Sequence, residues 1–235
     1  MIKKIYFLSL VMSTSLLSAI PISEITDSTK EKIQMIHSKL ELIHGSLTEE
    51  YPEQLMTTMY LSSDAKVLEL GGNVGRNSCV IASILQDSRN LVTIESCKEY
   101  AKDLQENRDH NGLNFHIEAS AVSKVPLIQE GWTTIVSEVD LPGYVRVNTI
   151  TFDEVQSKYG IIFDTIVADC EGAFYYILRD DPEILRNIKL IIVENDYVND
   201  EHFKFTADLF TKYGFELVYE SAYFERTNFY QVWKR

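Results

Sequence analysis

The chain is poor in basic charge. Its 22 Lys and Arg stand against 35 Asp and Glu, a formal net charge of −13, and no basic run extends beyond Lys3-Lys4. That balance repels a phosphate backbone, so nucleic acid is not the expected partner. Cysteine is also scarce. Cys79, Cys97 and Cys170 are odd in number and show no C-x-x-C spacing, which argues against a zinc or dithiol motif and for free, buried thiols. There is no internal repeat and no low-complexity tract. Long apolar runs are missing too: the stretch Ile5 to Ile20, after the basic start, is 16 residues and diluted by five Ser or Thr, short of the ~20 needed to span a bilayer. Residues 1–22 thus leave two readings open, a signal or anchor contacting membrane through residues 5–20, or an N-terminal helix of an intracellular protein.

What is present is punctuation. In residues 23–63, Ser28 and Glu31 resemble a capping box, and Ile33, Ile36, Leu40, Ile43 and Leu47 follow at helical spacing. They predict a helix ending near Gly45, with a second helix from about Pro52 to Tyr60; together these form an extension or cap. From residue 64 onward, apolar runs at 66–70, 91–94 and 114–117 alternate with helical patterns at 76–86 and 97–109, a βαβ order that calls for a parallel sheet. A less regular portion, 118–150, carries Gly131-Trp132 and Pro142-Gly143 turns. Thr151 and Glu154 then cap a helix before the runs at 163–169 and 188–195.

The runs 215–221 and 229–235 are too close for a parallel crossover and must pair antiparallel. The expected class is therefore α/β, with a Rossmann-like seven-stranded methyltransferase sheet: mostly parallel, closed by a C-terminal antiparallel hairpin, helices on both faces. A dinucleotide-binding sheet lacks that hairpin.

The first strand runs into VLELGGNVGRNS. Its glycines free the backbone at a strand's carboxyl end where a helix begins, a place suited to a ligand's negative charge. Gly71 and Gly75 are spaced G-x-x-x-G, and Asn73 stands where a pyrophosphate-binding G-x-G-x-x-G needs glycine. A nucleoside bearing an amino acid fits better. Glu69 could meet its ammonium group, and Glu95, 26 residues on and one strand over, could take both ribose hydroxyls. Asp169, Glu171 and Glu194 are expected to converge on the same edge, where close carboxylates raise one another's pKa and suit a general base. The three acids could also hold a divalent cation, since hard oxygen ligands suit magnesium or calcium, but no motif demands a metal and none is expected.

These residues resemble the FkbM family of S-adenosylmethionine-dependent methyltransferases across 66–195. ELGGNVGRNS is similar to its first motif, IEASAVS to the stretch after its third strand, and NTITFDEV to a helix start, with Phe152 where leucine is frequent. VADCEGAFYYIL resembles its Asp-x-Glu-Gly-Ala signature, followed by IIVEN. The resemblance implies S-adenosyl-L-methionine as cofactor, held by Glu69, Gly71, Gly72, Asn73, Gly75, Asn77, Glu95, Ser96 and Ala121. It also implies methylation of a hydroxyl on a small-molecule acceptor such as a carbohydrate. The competing readings are a nicotinamide-dependent oxidoreductase and a nucleoside-binding module without turnover.

Overall fold

The computed structural model describes residues 26–235 apart from Trp132 and Val198. The segment 1–22, most of it the apolar run, and the Trp132 half of the predicted turn lie outside the described residues. Among the described residues no helix is long and apolar enough to cross a membrane.

The chain runs α1 (Asp27–His37), α2 (Tyr51–Tyr60), β1 (Val67–Leu70), α3 (Arg76–Ile84), β2 (Leu91–Ile94), α4 (Lys98–His110) and β3 (His116–Glu118). Five short strands follow: β4 (Ala121–Val122), β5 (Leu127–Glu130), β6 (Thr133–Val136), β7 (Val145–Val147) and β8 (Thr149–Ile150). Then come α5 (Phe152–Tyr159), β9 (Thr165–Ala168), α6 (Ala173–Asp180), β10 (Leu190–Glu194), α7 (Asp200–Lys212), β11 (Glu216–Tyr223) and β12 (Arg226–Lys234).

Seven strands form one sheet in the order β11-β12-β10-β9-β1-β2-β3. β1 pairs in parallel with both β2 and β9, β10 pairs in parallel with β9, and β12 runs antiparallel to β10 and β11. The expected sheet is therefore present. The hairpin strands are longer than their apolar runs, leaving only Phe224 and Glu225 as the loop, with register shifts along the ladder.

Alternation along β1 divides the core. Leu68 and Leu70 pack with Phe152, Val155, Phe174, Leu178 and Phe210 from α5, α6 and α7. Val67 packs with Met56, Cys79, Ile81 and Leu104 from α2, α3 and α4. Only Cys79 of the three free thiols is fully buried; Cys97 and Cys170 are half-buried.

Two expectations need correction. Thr26, not Ser28, caps α1, its hydroxyl accepting from the Thr29 amide at 3.3 Å, and the helix stops at His37, not near Gly45. Beyond that end the chain is held by a distant side chain. Asn107 on α4, fully buried, accepts from the amides of Ile43 (2.6 Å) and His44 (3.1 Å) and donates to the carbonyls of His44 and Val74. Those bonds take the backbone that a continuing helix would need. At α5 the capping box holds as predicted: Thr151 accepts from the Glu154 amide, and Glu154 accepts from the Thr151 amide at 2.8 Å. The region 118–150 is more ordered than its sequence pattern, with β5 at the centre of an antiparallel sheet between β6 and β7, and β4 paired with β8.

Candidate active site

Strand order reverses between β1 and β9, and ligands of such sheets bind at the carboxyl edge of that switch. There the turn after β1 meets the turn after β9. The Asp169 amide donates to the Leu70 carbonyl at 3.0 Å, and a Cβ on Gly71, whose φ is +88°, would fall 1.6 Å from the Asp169 carbonyl oxygen. Gly72 is hemmed by Thr93 and Leu104 (2.2 and 3.1 Å), and Gly75 by Leu104 (2.3 Å). The close approach that requires these glycines is thus to the protein's own backbone and side chains.

A cavity of about 520 Å³ opens beside this edge, within the size range of small-molecule sites. Gly71, Asn73, Glu95, Ser96, Ala121 and Asp169 all border it, and β5 and β6 wall its far side through Leu127, Gln129 and Ile135. Glu95, buried, accepts from the amides of Asn73 (2.8 Å) and Cys97 (2.7 Å). Burial raises its pKa against those hydrogen bonds. Ser96 donates to Gln129 at 3.2 Å, which ties the strand end to the insertion. Ala121 reaches the cavity because β4 is anchored on β8.

Glu69, Gly72 and Asn77 lie elsewhere. They border a small neighbouring cavity of about 10 Å³, room for about one water molecule. Glu69 accepts from Ser78 (2.5 Å) and Thr93 (2.7 Å), and Asn77 accepts from Thr57 of α2 at 3.1 Å. Burial pushes the Glu69 carboxyl up to about 7, although both hydroxyls pull it down. Gly75 borders neither cavity and serves as the left-handed cap of α3.

All three expected catalytic carboxylates border the large cavity, but they do not form one cluster. Asp169 and Glu194 come together with Glu53, their oxygens within 4.8 Å of one another. Both have raised pKa values, from burial first; the Glu53 charge adds to both, and the Asp169 charge adds to the rise at Glu194. Glu171 is exposed at φ +54° on the turn into α6, and its neighbour is Asp196, which accepts from the Gly172 amide at 2.6 Å. Burial and the Glu171 charge push Asp196 up. Glu53 and Asp196 went unnoticed in the sequence. Glu53 had one signal, an acidic residue among the apolar positions of a helix, and it is 5% exposed. Of the aromatics near the signature, Phe174 and Tyr197 are core, Tyr175 stacks on His202, and Tyr176 borders the cavity.

No protein-family model matches the chain, and no curated protein does. Among solved structures, it is similar to the O-methyltransferase from Bacillus cereus in complex with SAH. The two share 16% identity over 91% of this chain and 94% of that one, with a TM-score of 0.50. It is similar to cofactor-bound Rv0187 from MTB at 12% identity, 89% and 90% coverage, and a TM-score of 0.51. A protein of Listeria monocytogenes serotype 4b matches at 12% identity over 79% of this chain and 67% of that one, TM-score 0.50. At such identities the likeness is one of fold, and the fold is the Rossmann-like methyltransferase sheet. The FkbM resemblance rests on its motifs alone.

Proposed function

We propose that the protein transfers a methyl group from S-adenosyl-L-methionine to a hydroxyl of a small polar acceptor, a carbohydrate being the leading class. The observation that carries this reading is the cavity at the sheet's switch point, bordered at once by the β1 turn, Glu95 and Asp169. The cofactor would supply a methyl group on a sulfonium, made electrophilic by the positive sulfur. Glu95 would accept hydrogen bonds from ribose hydroxyls, since each of its oxygens keeps a lone pair beyond the backbone amides it already binds. Asp169, at the cavity wall, would take the hydroxyl proton as the oxygen forms its bond to the methyl carbon and that carbon's bond to sulfur breaks, the sulfur leaving as a neutral thioether. The walls from β5 and β6 would keep water away from the aligned atoms. In this reading 64–235 is the methyltransferase domain and 23–63 closes one side of its edge. Glu171, exposed and turned towards Asp196, has the weakest claim to a part in proton transfer. The solved relatives that bind SAH or a cofactor, and the C-terminal hairpin, favour this over the nicotinamide reading.

Calorimetry with S-adenosylmethionine and with NAD, followed by screening sugars and RNA with methyl-labelled cofactor, tests both halves. Cofactor binding and label in a sugar are expected. Tight binding of NAD alone would overturn the reaction class, and label appearing only in RNA would overturn the acceptor.

A further inference from the structure

We infer that Glu53, Asp169 and Glu194 form a binding site for one divalent cation of the oxygen-preferring kind, magnesium, manganese or calcium. Three elements far apart in sequence bring the ligands together: the first turn of α2, the end of β9 and the end of β10. One oxygen from each lies within 4.8 Å of the others. A single centre about 2.0–2.6 Å from all three, the range of magnesium– and calcium–oxygen bonds, satisfies that spacing.

The cluster has a second feature that acidic surface patches lack. Glu53 is 5% exposed, and its Oε2 has no hydrogen-bond partner, yet it borders the same 10 Å³ cavity as Asp169 and Glu194. A buried, unpartnered carboxylate oxygen is costly unless something positive meets it. Among the described residues no basic side chain does so. Arg76, whose partner Glu50 borders the same small cavity, is occupied by Glu49 and Glu50 at 2.7 Å each. All-carboxylate donors favour hard cations over zinc or copper. Asp169 and Glu194 also border the large cavity whereas Glu53 does not, so a held cation would sit behind the carboxylates with one side towards the proposed acceptor space. Its use in methyl transfer rests on the function proposed above, but its binding does not.

The test is calorimetric titration of the full chain with manganese chloride, without cofactor. One ion per chain is expected. Glu53→Gln and Glu194→Gln should each weaken binding by about tenfold or more. Glu106→Gln, in the half-exposed His44, Asp103 and Glu106 cluster, should leave it unchanged. Circular dichroism establishes that each variant is folded, and should Glu53→Gln fail to fold, Glu194→Gln carries the comparison. No binding by the wild type up to about 1 mM, the weak end for such sites, would overturn the inference. So would unchanged affinity in the glutamine variants, or loss only in Glu106→Gln. Cofactor binding without manganese binding would remove the cation and leave the proposed function standing; manganese binding without cofactor binding would do the reverse.

Discussion

The Asp169 carbonyl oxygen occupies the space that a side chain on Gly71 would need, 1.6 Å from an ideal Cβ. The two turns at the switch point are therefore one packed unit, and neither can move without the other. The hydrogen bond from the Asp169 amide to the Leu70 carbonyl closes that unit.

Gly71→Ala should consequently fail through folding before it fails through binding. The obstacle is backbone and cannot swing aside, and φ of +88° adds strain, so a loss above about 4 kcal/mol is expected. Gly160→Ala is the control: φ is +67°, but nothing lies within 4 Å of the new Cβ, and about 1 kcal/mol is expected. Equal thermal midpoints for the two variants would show that the turns are not so joined.

Asn107 holds the stretch after α1 by three hydrogen bonds to the backbone of Ile43 and His44, and makes a fourth to the Val74 carbonyl in the turn after β1. Asn107→Ala should cost about 2–4 kcal/mol in urea denaturation, because it strands several partly buried polar groups. Faster amide exchange at Ile43 and His44 should accompany it. Asn111→Ala removes bonds to Glu41 at the exposed end of the same helix and should cost about 1 kcal/mol or less. If Asn107→Ala is no worse than Asn111→Ala, the buried asparagine is not what holds the stretch.

The contrast between these regions shows what was legible in the residues. The seven-stranded sheet was readable because its strands are buried on both faces and so are written as short apolar runs between turn residues. The antiparallel ending followed from the short spacing before β12. The end of α1 was not readable, since Ile36, Leu40 and Ile43 keep helical spacing and the competing bonds come from Asn107, more than sixty residues away. The insertion was not readable either: β6 and β7 are half-exposed and too short for their alternation to register. At the site, Glu95 and Asp169 were legible as acids closing apolar runs. Glu53 was not, because its place beside Asp169 depends on how α2 docks, and Glu171, on the left-handed turn into α6, borders the same cavity but stands apart from the cluster of Glu53, Asp169 and Glu194.

Glu69 should make stability depend on pH. Its folded pKa of about 7 lies above the ordinary 4.5 because burial penalises the charged form. The folded protein keeps the proton longer than the unfolded chain, so this contribution is fully present below pH ~4.5 and is lost as pH rises through about 7. The full span is roughly 3 kcal/mol. Glu69→Gln cannot ionise and should flatten this part of the slope between pH 5 and 7, read as urea midpoints with Glu69 intact and substituted. Parallel slopes would mean that Glu69 is already ionised in the fold.

The proposed chemistry predicts a division of labour between Glu95 and Asp169. Both border the large cavity, but Glu95 is fixed by the Asn73 and Cys97 amides at the end of β2, the position for ribose hydroxyls. Asp169 stands at the switch point beside Glu194 and Glu53. Glu95→Ala should weaken S-adenosylmethionine by about 1–3 kcal/mol through lost charge-assisted hydrogen bonds. Asp169→Asn should change cofactor affinity by less than about tenfold and slow single-turnover methyl transfer roughly 10²–10⁴-fold, since the amide keeps the shape and cannot take the proton. Affinity and transfer must be measured on both variants, with thermal midpoints of the ligand-free proteins to separate a lost contact from a disturbed turn. Equal losses of affinity in the two would place Asp169 among the binding groups, and full transfer by Asp169→Asn would remove it from the chemistry.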